Sequence, residues 1–158
     1  MISVNGVTVS FGGYDLFDNI SFLINTKDRI GLAGKNGAGK STLLKLIAGD
    51  LQPTSGRIAV HSVSKPGYLA QSGVTHIAGI DALSAGEKKM RELARLFDQE
   101  TGTLLLDEPE THLDKTNRAW LLRMLRRHAG TVLIVSHDEE LLSVADHILH
   151  LENYGLRI

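Results

Sequence analysis

The chain of 158 residues contains no cysteine, only three prolines and a single tryptophan, and aromatic residues make up just 5% of it. Without cysteine there is no disulfide scaffold, no thiolate-bound zinc and no thiol nucleophile, a composition compatible with a reducing compartment. An excess of one charge is also missing. Lys plus Arg number 17 and Asp plus Glu 18, a net charge of −1, so no global field draws the chain to nucleic acid or to an acidic membrane. Any such partner has to be met by a local patch. The longest apolar runs, such as Val132–Val135, fall far short of the roughly 20 residues that cross a bilayer. The opening Met1-Ile2-Ser3-Val4-Asn5 has neither the basic start nor the apolar stretch of a signal peptide. With 42% hydrophobic and 22% charged residues, the composition is that of a globular protein, and a chain this long buries roughly 70% of its unfolded surface without staples. The expectation is one soluble, cytoplasmic domain over residues 1–158.

Glycine, by contrast, is plentiful at 16 residues, and it punctuates the chain. Ile2 and Val4, then Val7, Val9 and Phe11, alternate as strand residues do. Asn5-Gly6 reads as a tight turn between them, and Gly12-Gly13 ends the run. Ile20, Phe22 and Ile24 give a further strand. From Arg29 onward strands and helices alternate. Ile30–Ala33 is a short buried strand, followed by a glycine-rich turn and a helix over Ser41–Ala48 that stops at Gly49. Ile58–Val60 is a strand, and residues 61–82 are the least regular, with no period in Ser72–Ala82. Ser84 and Glu87 form a capping box that opens a helix with Met90, Leu93, Ala94 and Phe97 on one face. Thr103–Leu106 and Thr131–Val135 read as doubly buried strands, Lys115–His128 and Glu139–Ala145 as helices, and Ile148–Leu151 as a last strand before an Asn153-Tyr154-Gly155 turn. This order predicts an α/β fold, a mainly parallel sheet flanked by helices over 29–158, with a β region at 1–28 before it.

Gly34-Lys35-Asn36-Gly37-Ala38-Gly39-Lys40-Ser41 fits the phosphate-loop pattern G-x-x-x-x-G-K-[ST], set between a predicted strand and a predicted helix. Its glycines let consecutive backbone N–H groups curl around a phosphate chain, and the helix N-terminus adds partial positive charge. Lys40 then reaches the β- and γ-phosphates, and the Ser41 hydroxyl coordinates Mg²⁺. Leu104-Leu105-Leu106-Asp107-Glu108 is the acidic complement. A buried strand ending in Asp107 sets a carboxylate beside that Mg²⁺, and Glu108 is placed to orient or deprotonate an attacking water.

The order of phosphate loop, Gln71, Leu83-Ser84-Ala85-Gly86-Glu87, Leu106-Asp107-Glu108-Pro109, Leu113-Asp114 and Ser136-His137-Asp138 resembles the ATP-binding-cassette (ABC) ATPases over nearly the whole chain. The resemblance implies a phosphate-loop core with an N-terminal antiparallel β subdomain, and ATP and Mg²⁺ as ligands. It implies nucleotide contacts from Gly34, Lys35, Asn36, Gly37, Ala38, Gly39, Lys40, Ser41 and Thr42, and metal contacts from Ser41, Gln71 and Asp107. Gln71, Glu108 and His137 become the catalytic set, with His137 on the γ-phosphate. Ser84 and Gly86 match the signature motif, which contacts nucleotide held by an opposite protomer, and Asp114 matches the loop that crosses that dimer interface. Phe11 lies where the family stacks an aromatic on adenine; as a residue in a strand it reads equally as a core aromatic.

Phe11-Gly12-Gly13, Leu16-Phe17, Ile20-Ser21-Phe22, Asp28-Arg29-Ile30-Gly31-Leu32 and Glu140-Leu141-Leu142 are similar to the ABC-F group, cassette ATPases that act on ribosomes. Three features depart from it. Ala85 stands where a second glycine is usual. Glu110-Thr111-His112 resembles the Glu-Thr-His of DNA-repair and SMC-like ATPases. Only eleven residues, Ser72–Ala82, separate Gln71 from Leu83, where cassettes carry a helical lobe, so that subdomain is much reduced. The implied function is MgATP hydrolysis by a nucleotide-dependent homodimer, ribosome- or RNA-associated. A transporter's nucleotide-binding subunit, an SMC-like ATPase and a catalytically weak ATP-binding module are the alternatives. Lys115, Arg118, Arg123, Arg126 and Arg127 put five cations on one predicted helix, read chiefly as a solvated face and secondarily as an RNA-binding stripe.

Overall fold

Alternating apolar residues build the first two strands. The computed structural model describes residues 1–71, 84–152 and the backbone of 155–157. In it β1 (Ile2–Phe11) and β2 (Tyr14–Ile24) form a hairpin. Gly12 and Gly13 close it at φ 56° and 83°, a two-residue turn that glycine adopts at little cost. The expected turn at Asn5-Gly6 is instead a bulge inside one continuous strand. Pairing with β2 slips between Val4 and Val7, Gly6 sits at φ 55°, and its N–H donates to Ser21 Oγ at 2.8 Å. The reason lies in the spacing. Val4 and Val7 are both fully buried, yet three positions apart, and one extra residue restores Val7 to the face that a period of two would deny it. β4 (Ser55–Val60) pairs with the other edge of β1, completing an antiparallel sheet of order β2-β1-β4.

The second sheet has the order β5-β6-β7-β3-β8-β9. β3 (Arg29–Gly34), β5 (Gly67–Leu69), β6 (Thr103–Asp107), β7 (Thr131–Val135) and β8 (His147–Glu152) run parallel, and β9 (Gly155–Arg157) closes one edge antiparallel to β8. The three-residue β5 falls in the stretch read as irregular; it is too short to show a period, and pairing with β6 defines it. Between the strands run α1 (Lys40–Ala48), α2 (Ala85–Asp98), α3 (Lys115–Arg127) and α4 (Glu139–Leu142). The expected last helix stops at Leu142, not Ala145. Asp146 is already committed to the sheet, its N–H donating to Arg29 O at 2.7 Å and its Oδ2 accepting from Arg29 N at 3.0 Å.

β6 and β7 are buried along their whole length, and successive residues feed opposite cores. Leu105, Leu133 and Val135 pack with α1 and the antiparallel sheet, whereas Leu104, Leu106, Val132 and Ile134 pack under α2 and α3. This is the three-layer α/β architecture expected. β3 sits between β7 and β8, so the chain's crossovers diverge around it and a crevice opens at the carboxyl ends of the strands. The expected irregular segment 72–82, Leu83 and the Asn153-Tyr154 turn lie outside the described residues. No helix among the described residues is long and apolar enough to cross a membrane.

Candidate functional site

The phosphate-loop sequence runs from the end of β3 into α1. Gly37 has φ 83° with open space around it, so conformation alone asks for glycine there. Gly39 has φ 98°, and a Cβ would also fall 2.6 Å from the Phe17 ring. Gly39 is the N-cap of α1 and carries no side chain to satisfy the first N–H groups, which leaves them able to bind an anion. Lys40 is buried, and its Nζ donates to Gly34 O at 2.6 Å and Lys35 O at 3.0 Å. Burial lowers its pKa, against the opposing charges of Glu108 and Asp107.

Asp107 ends β6 at 1% exposure. Both carboxylate oxygens are buried without a hydrogen-bond partner. Burial is the main force raising its pKa; the Ser41 hydroxyl opposes it, Glu108 adds to it, and Lys40 and Lys45 pull the other way. A buried acid beside a serine hydroxyl, near two lysines but hydrogen-bonded to neither, suits a divalent cation, because unpaired carboxylate oxygens in a dry site are costly. Among the described residues, no three His, Cys, Asp or Glu side chains form a ready-made metal cluster. Any cation here has to share its shell with other oxygen donors.

Glu108 takes φ 47°, a left-handed backbone conformation unusual for a residue other than glycine. Its N–H donates to Val135 O at 2.8 Å. One carboxylate oxygen, Oε2, accepts from Gln71 Nε2 at 3.1 Å, and the other, Oε1, lies 3.8 Å from His137 Nε2. Gln71 follows β5, Glu108 follows β6 and His137 follows β7, so three adjacent strands deliver the trio. Gln71, Glu108, Lys40, Ser41 and Thr42 share a cavity of about 280 Å³ with Asn36, Gly37 and Gly39. A larger cavity of about 600 Å³ adjoins the other side of the loop, against Gly34, Lys35, Ala38, Leu151 and Glu152.

Other expected residues sit elsewhere. Phe11 is 50% exposed and lines neither cavity. The aromatic in the larger one is Tyr14, the cross-strand partner of Phe11 over the glycine turn. Ser84 and Gly86 lie at the start of α2 and line neither cavity. Ser84 Oγ accepts from Glu87 N at 3.2 Å, the capping bond expected. Gly86 packs so tightly on the next loop that a Cβ would stand 2.5 Å from His112 O. Asp114 is exposed and caps α3, its Oδ1 accepting from Asn117 N at 2.8 Å. The cationic stripe on α3 is not uniform, because Arg118 pairs with Asp138. Sequence reasoning passed over Lys89, a buried cation on α2 that donates to Glu108 O at 3.0 Å and to Thr111 Oγ1. Glu110, read in the sequence as part of Glu110-Thr111-His112, has its Oε1 accepting from Ser136 Oγ at 2.5 Å.

A phosphate loop at the end of the middle strand, an acid pair at the end of the next strand but one and an antiparallel sheet packed over α1 define a class, the ATP-binding-cassette domain. The sequence profile of the ABC-transporter family matches residues 17–69. The fold superposes on the ATP-binding cassette MJ0796, solved as a dimer in a post-hydrolysis state with ADP and Pi, with a TM-score of 0.84. That likeness covers 100% of this chain and 97% of the other at 16% identity. Within the class, the sequence relatives are ABC-F-type ATP-binding proteins. The probable ATP-binding protein YheS of Escherichia coli K12 is 34% identical over 96% of this chain and 30% of its own length. The ribosome protection protein VmlR of Bacillus subtilis is 32% identical over 92% and 30%. ABC transporter F family member 3 of Arabidopsis thaliana is 35% identical over 84% and 24%. The chain therefore spans about a third or less of the length of these relatives. The YheS alignment runs over 188 positions, more than the 158 residues here, so YheS has residues inside the aligned stretch that this chain lacks.

Proposed function

We propose that residues 1–158 act as one nucleotide-binding domain that takes up ATP with Mg²⁺ and hydrolyses it to ADP and phosphate. The observation that carries this reading is Glu108 held between Gln71 and His137 beside the phosphate loop. The N–H groups of residues 34–42 and the α1 terminus would receive the phosphates, and Lys40 would exchange its two loop carbonyls for phosphate oxygens. Ser41, Asp107 and Gln71 would hold Mg²⁺, which when bound offsets the charge on the β- and γ-phosphates. Gln71 orients the water by its amide. Glu108 accepts the proton of that water as its oxygen bonds to the γ-phosphorus and the bond to ADP breaks. His137 stabilises the departing phosphate by a hydrogen bond.

Ser84, Gly86 and Asp114 line neither cavity, which supports their use on a second protomer's nucleotide in a head-to-tail homodimer. Kinship to a ribosome protection protein supports a ribosomal partner in the cytoplasm. Turnover is the test. Glu108→Gln should keep ATP binding and lose hydrolysis by about 10²-fold or more, the usual share of a general base. Under saturating MgATP that variant should also double its mass in light scattering and sediment with ribosomes. Equal turnover by the two proteins would remove the hydrolase reading.

A further inference from the structure

Lys89 occupies a place where helical periodicity asks for an apolar residue. It lies four positions before Leu93 and seven before Leu96, the other two buried residues of α2. Its side chain is 4% exposed, and a buried ammonium is stable only when its protons are received. The receivers are the carbonyl of Glu108, at 3.0 Å, and the hydroxyl of Thr111. Thr111 Oγ1 itself donates to the same Glu108 carbonyl at 3.0 Å, and Thr111 N–H donates to it at 3.3 Å.

These bonds converge on a strained residue. Glu108 is a non-glycine residue at φ 47°, a conformation that costs free energy and persists only where its surroundings enforce it. Its N–H is fixed by Val135 O, and its carbonyl by Lys89 and Thr111. With both flanking peptide groups held, the carboxylate is aimed between Gln71 and His137. The same lysine ties the first turns of α2 to this loop, and the tight approach of Gly86 to His112 O makes a second contact between the two.

We propose that Lys89 is a positioning residue for hydrolysis: from α2 it locks the left-handed backbone of Glu108 and couples the helix that begins at Ser84 to the catalytic carboxylate. The inference rests on the ATPase reading above. It assigns to the 108–112 loop the task of holding α2, with Lys89 as the connecting group.

The test uses Lys89→Met, which keeps length and apolar volume but cannot donate, together with Thr111→Val, which removes the hydroxyl at nearly constant shape. Both should leave the KM for ATP within about twofold and lower kcat by between about tenfold and 100-fold, as misplacement of a catalytic group does. Amide exchange at Thr111 and Leu113 should quicken in both variants, while that of β6 and α3 stays unchanged. Unchanged kcat or unchanged exchange in a folded Lys89→Met protein would overturn the proposal, as would a rise in KM at constant kcat. If Lys89→Met does not fold, Thr111→Val decides by the same readings. A wild-type chain with no Glu108-dependent turnover defeats the functional reading instead, and exchange at Thr111 and Leu113 then decides the tether by itself.

Discussion

Gln71 and Glu108 stand 37 positions apart in sequence and 3.1 Å apart in space, the amide of one donating to the carboxylate of the other. The bond joins the ends of two adjacent parallel strands, β5 and β6. It engages Oε2 of Glu108 and leaves Oε1 toward His137, so a neutral donor and an imidazole flank this carboxylate.

Among the described residues, Lys40 is the only cation lining the smaller cavity. Lys40→Ala should weaken ATP binding about 10- to 100-fold or more, since hydrogen bonds to charged groups contribute about 1.5–3 kcal/mol each. Titration with a fluorescent ATP analogue reads this directly, with circular dichroism to show that the variant is folded. Undiminished affinity would dismiss the phosphate-loop assignment.

Asp107 works against the stability of the fold. Burial raises its pKa above 3.8, so between the unfolded and folded values the native state binds more protons than the unfolded one. Stability then falls as pH rises through that window, and the ionised carboxylate remains a net cost above it. Asp107→Asn should therefore stabilise the protein at pH 7.5 without Mg²⁺ or nucleotide, by about 0.5–2 kcal/mol, and the gain should shrink as acid protonates the wild-type carboxyl. Thermal melts at pH 7.5 and pH 4.5 give both numbers. A lower melting temperature for the variant at pH 7.5 would contradict this account.

Gly86 offers a test in which local preference and packing disagree. Within a helix Gly→Ala ordinarily stabilises, by up to about 1 kcal/mol in its interior, and Gly86 is the second residue of α2. Here the added methyl would stand 2.5 Å from a backbone oxygen, His112 O, which has no flexible end to swing away. Gly86→Ala should destabilise by about 1–3 kcal/mol, as overpacking does. Chemical denaturation decides; a rise in stability would mean that the loop yields freely.

Much of this was legible before any coordinates. The strand–loop–helix at 29–48 announces itself because glycine, lysine and serine are each required at fixed offsets, and β6 and β7 because unbroken apolar runs, Leu104–Leu106 and Val132–Val135, suit strands covered on both faces. The Ser84–Glu87 capping bond followed from local chemistry alone. Three features did not show. The bulge at Gly6 imitates a turn, since both need positive φ. β5 is defined by its neighbour rather than by its own residues. Lys89 looks like one more surface cation on a charged helix, and only the placement of Glu108 O and Thr111 against it turns it into an interior group.

The position of β3 also governs how this molecule can be made. The antiparallel sheet has all its members by Val60, so it can assemble before β6, β7 and β8 have been made. β3 is different: Ile30 pairs with Leu133 on one side and His147 on the other, residues the ribosome delivers about a hundred codons later. Until then the strand that ends in the phosphate loop has two open edges and an apolar middle, the features that invite pairing with another chain. Loss of residues 129–158 would leave the nucleotide loop attached to a strand with both neighbours gone, and an aggregate rather than a weakened enzyme is what such a truncation should yield.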